Sequence, residues 1–207
     1  MTDTTAETRR MPKSAATRRR VLTAAATILV RDGYSGARLA DIAEAAGLQI
    51  GSMYYYFSNK EQLVEEVLFY SVQFTHTHVS EAVAAVADAR PGDRLSIAIR
   101  AFLQAILELG YMSPAHNRTF DQLPDDMQKR LQPSRRAFGK LWERLIVEAI
   151  DAGDIRSDVD PYVLRLFIIH TIEQVPEWPG RARRSAAKTA DIMESLIMDG
   201  VRTAPTP

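Results

Sequence analysis

Residues 37–63, ARLADIAEAAGLQIGSMYYYFSNKEQL, set three tyrosines and a phenylalanine in unbroken succession behind a short helical pattern. As a strand, Met53–Phe57 is only five residues long and has no hairpin signal beside it. As a helix, Met53 and Phe57 are four apart and share the face that packs inward. Tyr54, Tyr55 and Tyr56 then span the remaining directions and point mostly outward. Upstream, Leu39, Ile42, Ala43 and Ala46 form one apolar helical face, Gly47 breaks that helix, and Leu48 plugs the turn. The next helix starts near Gln49 or Ile50. Ala43 is small enough to let the two helices cross closely. Two short helices joined by a tight glycine-bearing turn make a helix-turn-helix unit.

Upstream of this unit, residues 1–14 (MTDTTAETRRMPKS) are polar and without periodicity, and are expected to form a disordered basic arm. From Ala15, the spacing of Val21, Leu22, Ala25, Ala26, Ile28 and Leu29 predicts a first helix that Gly33 stops. Downstream, Ser58 to Glu61 reads as a capping box, with Ser58 as cap, opening a fourth helix striped by Leu63, Val64, Val67, Leu68 and Phe74. ARPGD marks a turn at 89–93, and Leu95–Leu109 is an apolar helix ended by Gly110. YMSPAHN reads as a loop. Asp125–Ala152 is helical in pattern, with Pro133 expected to kink or divide it. Pro161–Val175 and Ser185–Val201 are two further apolar helices, linked through PEWPGRARR. No strand signal is present, so the expected fold is all-α.

The 207 residues, 46% hydrophobic, suffice for a substantial core, and the 26 basic and 26 acidic side chains cancel. Their distribution is uneven: Arg9 to Lys60 holds nine basic residues against Asp32, Asp41 and Glu44, an asymmetry that points to nucleic acid or a membrane surface. Without cysteine there is no disulfide or thiolate metal site, and a reducing cytoplasm fits. No apolar run approaches the length of a membrane span, and no secretory signal is visible.

Helix one, LADIAEAAGL and GSMYYYFSNKEQL together closely resemble the DNA-binding domain of TetR-family transcriptional regulators, and the Y-x-x-F-x-x-K-E-x-L pattern of Tyr54–Leu63 is the most specific part. The stretch from Phe120 to Pro161 also resembles the ligand domain of a branch that includes sterol-catabolism and acyl-CoA-responsive repressors. The resemblance implies a homodimer, a helix-turn-helix domain over 15–60, and an effector-binding and dimerisation domain over 61–207. It implies that Gln49, Ile50, Gly51, Ser52, Tyr54, Tyr55 and Tyr56 form the recognition helix and its lead-in, and that Lys60 meets a phosphate. Where the family has a Thr or Ser cap on helix two, this chain has Ala37 and Arg38, so Arg38 is the expected phosphate contact there. The partners implied are double-stranded operator DNA, a second copy of the chain and a small-molecule effector that releases the DNA. No membrane is among them.

These residue types suit DNA recognition, because phosphate contacts orient a protein on the duplex while base edges specify sequence. Tyrosines offer a hydroxyl to phosphate and a ring to the thymine methyl, and Gln49 offers an amide to a base. Arg9, Arg10 and Lys13 of the arm are placed to follow the backbone or enter a minor groove. Arg18, Arg19 and Arg20 read as a solvated face. In the C-terminal part, Phe102, Ile106, His116, Phe120, Phe138, Trp142 and His170 are the candidate lining of a ligand cavity, each competing with a plain core role. The expected effector is largely apolar and carries an anionic head, selected by His116, Asn117, His170 or an arginine, with Arg181, Arg183 and Arg184 as candidates. Leu164, Phe167, Ile168, Ile172, Ile192, Met193, Leu196 and Ile197 are the expected dimer interface, because helix 161–175 is apolar nearly all round. No metal site, cofactor motif or nucleophile–base set is legible, which argues against an enzyme. The alternative reading is a DNA-binding dimer governed by a protein partner, or not ligand-regulated.

Overall fold

The structure is a computed structural model that describes residues 13–178 and 186–203. Most of the expected arm, and Arg181, Arg183 and Arg184, therefore lie outside the described residues. Nine α-helices occur among the described residues: α1 (Lys13–Gly36), α2 (Leu39–Ala45), α3 (Ile50–Tyr56), α4 (Lys60–Ala84), α5 (Pro91–Leu109), α6 (Met112–Thr119), α7 (Asp125–Asp151), α8 (Pro161–Glu173) and α9 (Ala186–Val201). Short 3-10 turns follow α6 (Phe120–Gln122) and α8 (Val175–Glu177). The one extended pairing among these residues is an isolated bridge between Ile155 and Arg202. The all-α expectation holds, and no single described helix is long and apolar enough to cross a membrane.

Local chemistry explains most boundaries. Gly33, at φ 68°, breaks the end of α1 at the expected stop, but the chain resumes a helical turn to Gly36. Gly47, at φ 65°, ends α2, and the Leu48 N–H returns to the Ala43 carbonyl at 2.8 Å. The cap of α4 is Asn59, one residue later than expected: its Oδ1 accepts from the Gln62 N–H at 2.8 Å. Gln62 Oε1 in turn accepts from the Ser58 N–H at 2.8 Å, so Gln62 takes the part expected of Glu61. The expected loop YMSPAHN is instead the start of α6. Pro114 falls in the first turn, where its missing N–H would have had no helical partner. Pro133 does not divide α7 into two helices; it sits on the exposed side of one continuous element.

Two apolar cores lie along the molecule. The first gathers α1, α2, α3 and the start of α4, and is completed by Leu109, Met112, Ala115, Phe120, Leu123, Met127 and Leu131 from the C-terminal part. A boundary near residue 60 is therefore not a boundary between cores. The second is built from the far half of α4 (Val79, Val83) with α5, α7, α8 and α9. α4 runs through both.

The expected dimer set divides. Leu164, Ile168, Ile172, Met193 and Ile197 are buried in their own subunit, correcting their assignment to a partner interface: α8 spends one face on α7 and α5. Phe167, Ile192 and Leu196 are exposed, Leu196 at 72%, together with Tyr162 and Val163.

Candidate functional site

On α3 the inward pair is Met53 and Phe57, 0% and 1% exposed, while Tyr54 and Tyr55 stand in solvent, Tyr55 at 83%. Tyr56 is half-buried, with its ring edge-on to that of Tyr55 at 5.2 Å. Gln49, Ile50, Gly51 and Ser52 are exposed on the lead-in and first turn of the same helix. A Cβ added to Gly51 would meet nothing within 4 Å. Arg38 is exposed at the start of α2, in extended geometry, and makes no cap. Arg38 and these α3 residues belong to one helix-turn-helix unit.

Two basic residues make contacts within the chain that the sequence did not suggest. Lys60 is half-buried, and its Nζ donates to the Tyr34 carbonyl at 3.0 Å while lying over the Tyr34 ring at 4.4 Å. The pull of a carbonyl and a π face draws the cation inward, so here it ties α4 to the end of α1. Arg18, expected on a solvated face, pairs through two nitrogens with Glu66, donates to the Tyr56 carbonyl and covers the Phe57 ring. It braces the recognition helix from behind.

In the C-terminal part, α6, α7 and α8 enclose a cleft of about 440 Å³, lined in part by His116 and Asn117, by Gln132, Arg135 and Arg136, and by Arg165, His170 and Glu173. An adjoining cleft of about 580 Å³ shares Gln132, Arg135 and Arg136 and adds Phe120. Of the expected lining residues, His116, Phe138 and His170 line the first cleft and Phe120 the second. Ile106 reaches only a void of about 20 Å³. Phe102 and Trp142 line neither cleft. Their rings pack on each other at 5.5 Å and on Phe138 at 5.2 and 6.1 Å, so the aromatics fill the space they were expected to border.

The first cleft is mixed rather than largely apolar: Arg135, Arg136, Arg165 and Glu173 share its wall with Val72, Phe138, Leu166 and Ile169. Arg135 stacks over the Phe120 ring at 3.7 Å, and Arg165 over the Tyr162 ring at 4.9 Å. Arg165 Nε and His116 Nδ1 are buried without a hydrogen-bond partner. Gly139 makes room for Arg165: a Cβ there would lie 2.7 Å from its Nη1. Burial, with Arg135 nearby, pushes His116 down to about 4, so it is neutral. Burial pushes Glu173 up to about 7, against the opposing influence of Asn117 and Arg135. Glu173 thus titrates close to neutrality beside cations that lack an ion-pair partner among the described residues. Sequence reasoning missed Arg135, Arg136, Arg165 and Glu173. The available signal was Arg165 itself, a lone cation inside the apolar run YVLRLFII.

Comparison with known proteins agrees with this architecture. Residues 21–67 match the family described as bacterial regulatory proteins, tetR family, and residues 88–201 match the tetracyclin repressor-like C-terminal domain. The HTH-type transcriptional repressor KstR2 of Rhodococcus jostii (strain RHA1) is 26% identical over 197 residues, covering 89% of this chain and 90% of that protein. The solved ketosteroid transcriptional regulator KstR2 of Mycobacterium tuberculosis superposes with a TM-score of 0.80 at 21% identity, over 94% of this chain and 98% of that one. AibR, solved in complex with isovaleryl coenzyme A and operator DNA, gives 0.70 at 22% identity, over 87% and 97%. With both domain types matched in order along one chain, the protein belongs to the TetR family of bacterial transcriptional regulators.

Proposed function

We propose that this regulator is a homodimeric repressor, released from its operator by a small molecule that carries an anionic group, and that it has no catalytic role. The DNA-contacting surface in this reading is Arg38, Gln49, Ile50, Gly51, Ser52, Tyr54 and Tyr55, which the fold leaves exposed. Tyr56 contributes at its rim, and Lys60, whose ammonium keeps further N–H donors beside its bond to the Tyr34 carbonyl, offers them to a phosphate. The dimer forms through Tyr162, Val163 and Phe167 of α8 with Ile192 and Leu196 of α9, apolar side chains that one subunit leaves in water. Two recognition helices related by a two-fold axis read half-sites of a near-palindrome about one turn of DNA apart.

The observation that carries the effector reading is the gathering of Arg135, Arg136 and Arg165 around one cleft, with no ion-pair partner for them among the described residues. Unpaired guanidinium groups held in a partly buried wall favour a carboxylate or phosphate ligand. AibR, similar in fold, has been solved with isovaleryl coenzyme A, which supports thioesters of coenzyme A as the first compounds to try. The test begins with operator sequences selected from a random DNA pool. Isovaleryl-CoA, octanoyl-CoA, free octanoate and an uncharged octanoyl ester are then titrated against the protein–operator complex. Release by the anionic compounds is the expected result, and release by the uncharged ester alone would reject the anionic group.

A further inference from the structure

The last helical turn of α1, which feeds directly into the helix-turn-helix, is held by the C-terminal part at two points. Gln122, in the 3-10 turn after α6, accepts the Tyr34 N–H on its Oε1 at 3.0 Å and donates from Nε2 to the Arg118 carbonyl at 2.7 Å. Arg118 donates from one guanidinium nitrogen to the Val30 carbonyl at 3.4 Å and from another to Glu177 at 2.9 Å. The Tyr34 carbonyl is taken by Lys60 from the other side. Gly33 makes the close approach feasible: a Cβ there would lie 2.6 Å from Gln122 Oε1, and its φ of 68° already favours glycine.

The same two elements continue into the cleft. His116 and Asn117 line it from α6, which leads into the 3-10 turn that carries Gln122, and Glu173 lines it from the end of α8, which leads into the 3-10 turn that carries Glu177. Arg118 spans the gap between the two elements through Glu177. Any ligand that changes the spacing of α6 and α8 therefore acts on Arg118, and through the Arg118 carbonyl on Gln122 and Tyr34. The contacts are solvent-exposed. Water replaces them when they open, so they part without stranding buried polar groups, as a switchable tie must.

We propose that Gln122 is the positioning residue that couples the cleft to the DNA-binding domain, by holding the Tyr34 amide and so fixing the end of α1 in the DNA-competent orientation. This rests on reading the cleft as the effector site, but its main test needs no effector. Gln122→Met removes both the acceptor and the donor at similar volume, and Gln122→Glu keeps the acceptor for the Tyr34 amide while losing the Nε2–H donor to the Arg118 carbonyl. In the full-length protein, Gln122→Met is expected to speed hydrogen exchange of the Tyr34 amide by about fivefold and to weaken binding to the selected operator by about fivefold, with little change in melting temperature. Gln122→Glu, which keeps only the acceptor, is expected to slow the Tyr34 exchange back toward the wild-type rate. In a second arm with isovaleryl-CoA, Gln122→Met keeps the wild-type affinity for the ligand while the ligand-induced loss of operator binding shrinks, because the coupling is what has been cut. Wild-type exchange and operator affinity in Gln122→Met, or Tyr34 exchange in Gln122→Glu as fast as in Gln122→Met, would overturn the proposal. If isovaleryl-CoA leaves the wild-type complex intact, that ligand choice fails while the first arm still decides on Gln122.

Discussion

On α3 the side chains that the core takes alternate with those it leaves. Met53 and Phe57 are sealed beneath the helix, and Tyr54 and Tyr55 stand in water. The cleft between α6, α7 and α8 is organised the opposite way: its distinctive groups are polar atoms set against the core, among them His116 Nδ1 and Arg165 Nε, buried and without hydrogen-bond partners. In the proposed reading, function on the helix falls to residues that folding does not need, and function in the cleft to residues that folding would be better without. Stability and binding should therefore separate cleanly on α3 and should oppose one another in the cleft.

The largest expected effect tests the α3 half. Phe57→Ala empties a site that is 1% exposed and lies under the Arg18 guanidinium. It should cost about 3–5 kcal/mol in urea unfolding. Tyr55→Ala should leave stability within about 0.5 kcal/mol yet weaken operator binding in a fluorescence-anisotropy titration. A Tyr55 variant that unfolded as readily as the Phe57 variant would erase the division between the two faces.

The next effect belongs to the cleft and depends on pH. Glu173 is raised from 4.5 to about 7. Between those values the folded state holds a proton that the unfolded state has lost, so this group makes stability fall as pH rises. His116 is lowered from 6.5 to about 4. Between those values the unfolded state holds the extra proton, so this group makes stability rise with pH. Each slope is about 1.4 kcal/mol per pH unit, and over the shared window they cancel. Glu173→Gln should remove the falling slope. Relative to wild type it should gain on the order of 3 kcal/mol at pH 8 and almost nothing at pH 4. His116→Gln should show the converse, with its advantage at pH 4. Urea denaturation from pH 4 to 8 checks both, and parallel pH profiles for the two variants and wild type would mean that neither group is buried as described.

The same contrast explains what can be read in advance. The helix-turn-helix is legible because its signals are local: the four-residue spacing of Met53 and Phe57, the stop at Gly47 and the small Ala43 all fall within fifteen residues. The cap of α4 is misread by one residue because Ser58, Asn59, Glu61 and Gln62 offer two overlapping capping pairs, and only the backbone selects between them. The cleft is only partly legible. Its walls come from three helices, and residues as far apart as His116 and Glu173 meet there. Large aromatics are the wrong guide, because Phe102 and Trp142 close the space by packing on each other and on Phe138. The apolar run of α8 reads as a surface shared with a partner, although Leu164, Ile168 and Ile172 are spent on the subunit's own core.

A third test removes one cation from the cleft. Arg165→Met keeps the apolar stem and discards a guanidinium whose Nε has no partner. Calorimetry with isovaleryl-CoA should show a loss of about 1.5–3 kcal/mol, the range for a hydrogen bond to a charged group, or about ten- to a hundredfold in affinity. Unfolding free energy should hold steady or rise. A variant that bound normally but lost stability would mean that Arg165 serves the fold, and the contrast with α3 would fail on the cleft side.

The smallest expected effect compares two glycines, one in each region. Both lie inside helices, where alanine is ordinarily better by up to about 1 kcal/mol. At Gly51 nothing lies within 4 Å of an added Cβ. Gly51→Ala should therefore gain most of that amount, and the added methyl on the exposed face of α3 should hold the helix back from the groove floor and weaken operator binding. At Gly139 the added Cβ would lie 2.7 Å from Arg165 Nη1. The obstacle is the far end of a long side chain, which moves aside at small cost. Gly139→Ala should thus change stability by less than about 1 kcal/mol while it displaces the guanidinium and lowers affinity for an anionic ligand. Operator binding without ligand should stay as in wild type. The two variants together ask whether each helix keeps a glycine for what approaches it: DNA from outside on α3, a neighbouring arginine from inside on α7. If Gly139→Ala bound isovaleryl-CoA as wild type does, the space at Gly139 would be unrelated to the ligand. The cleft would then depend on Arg135 and Arg136 for its charge.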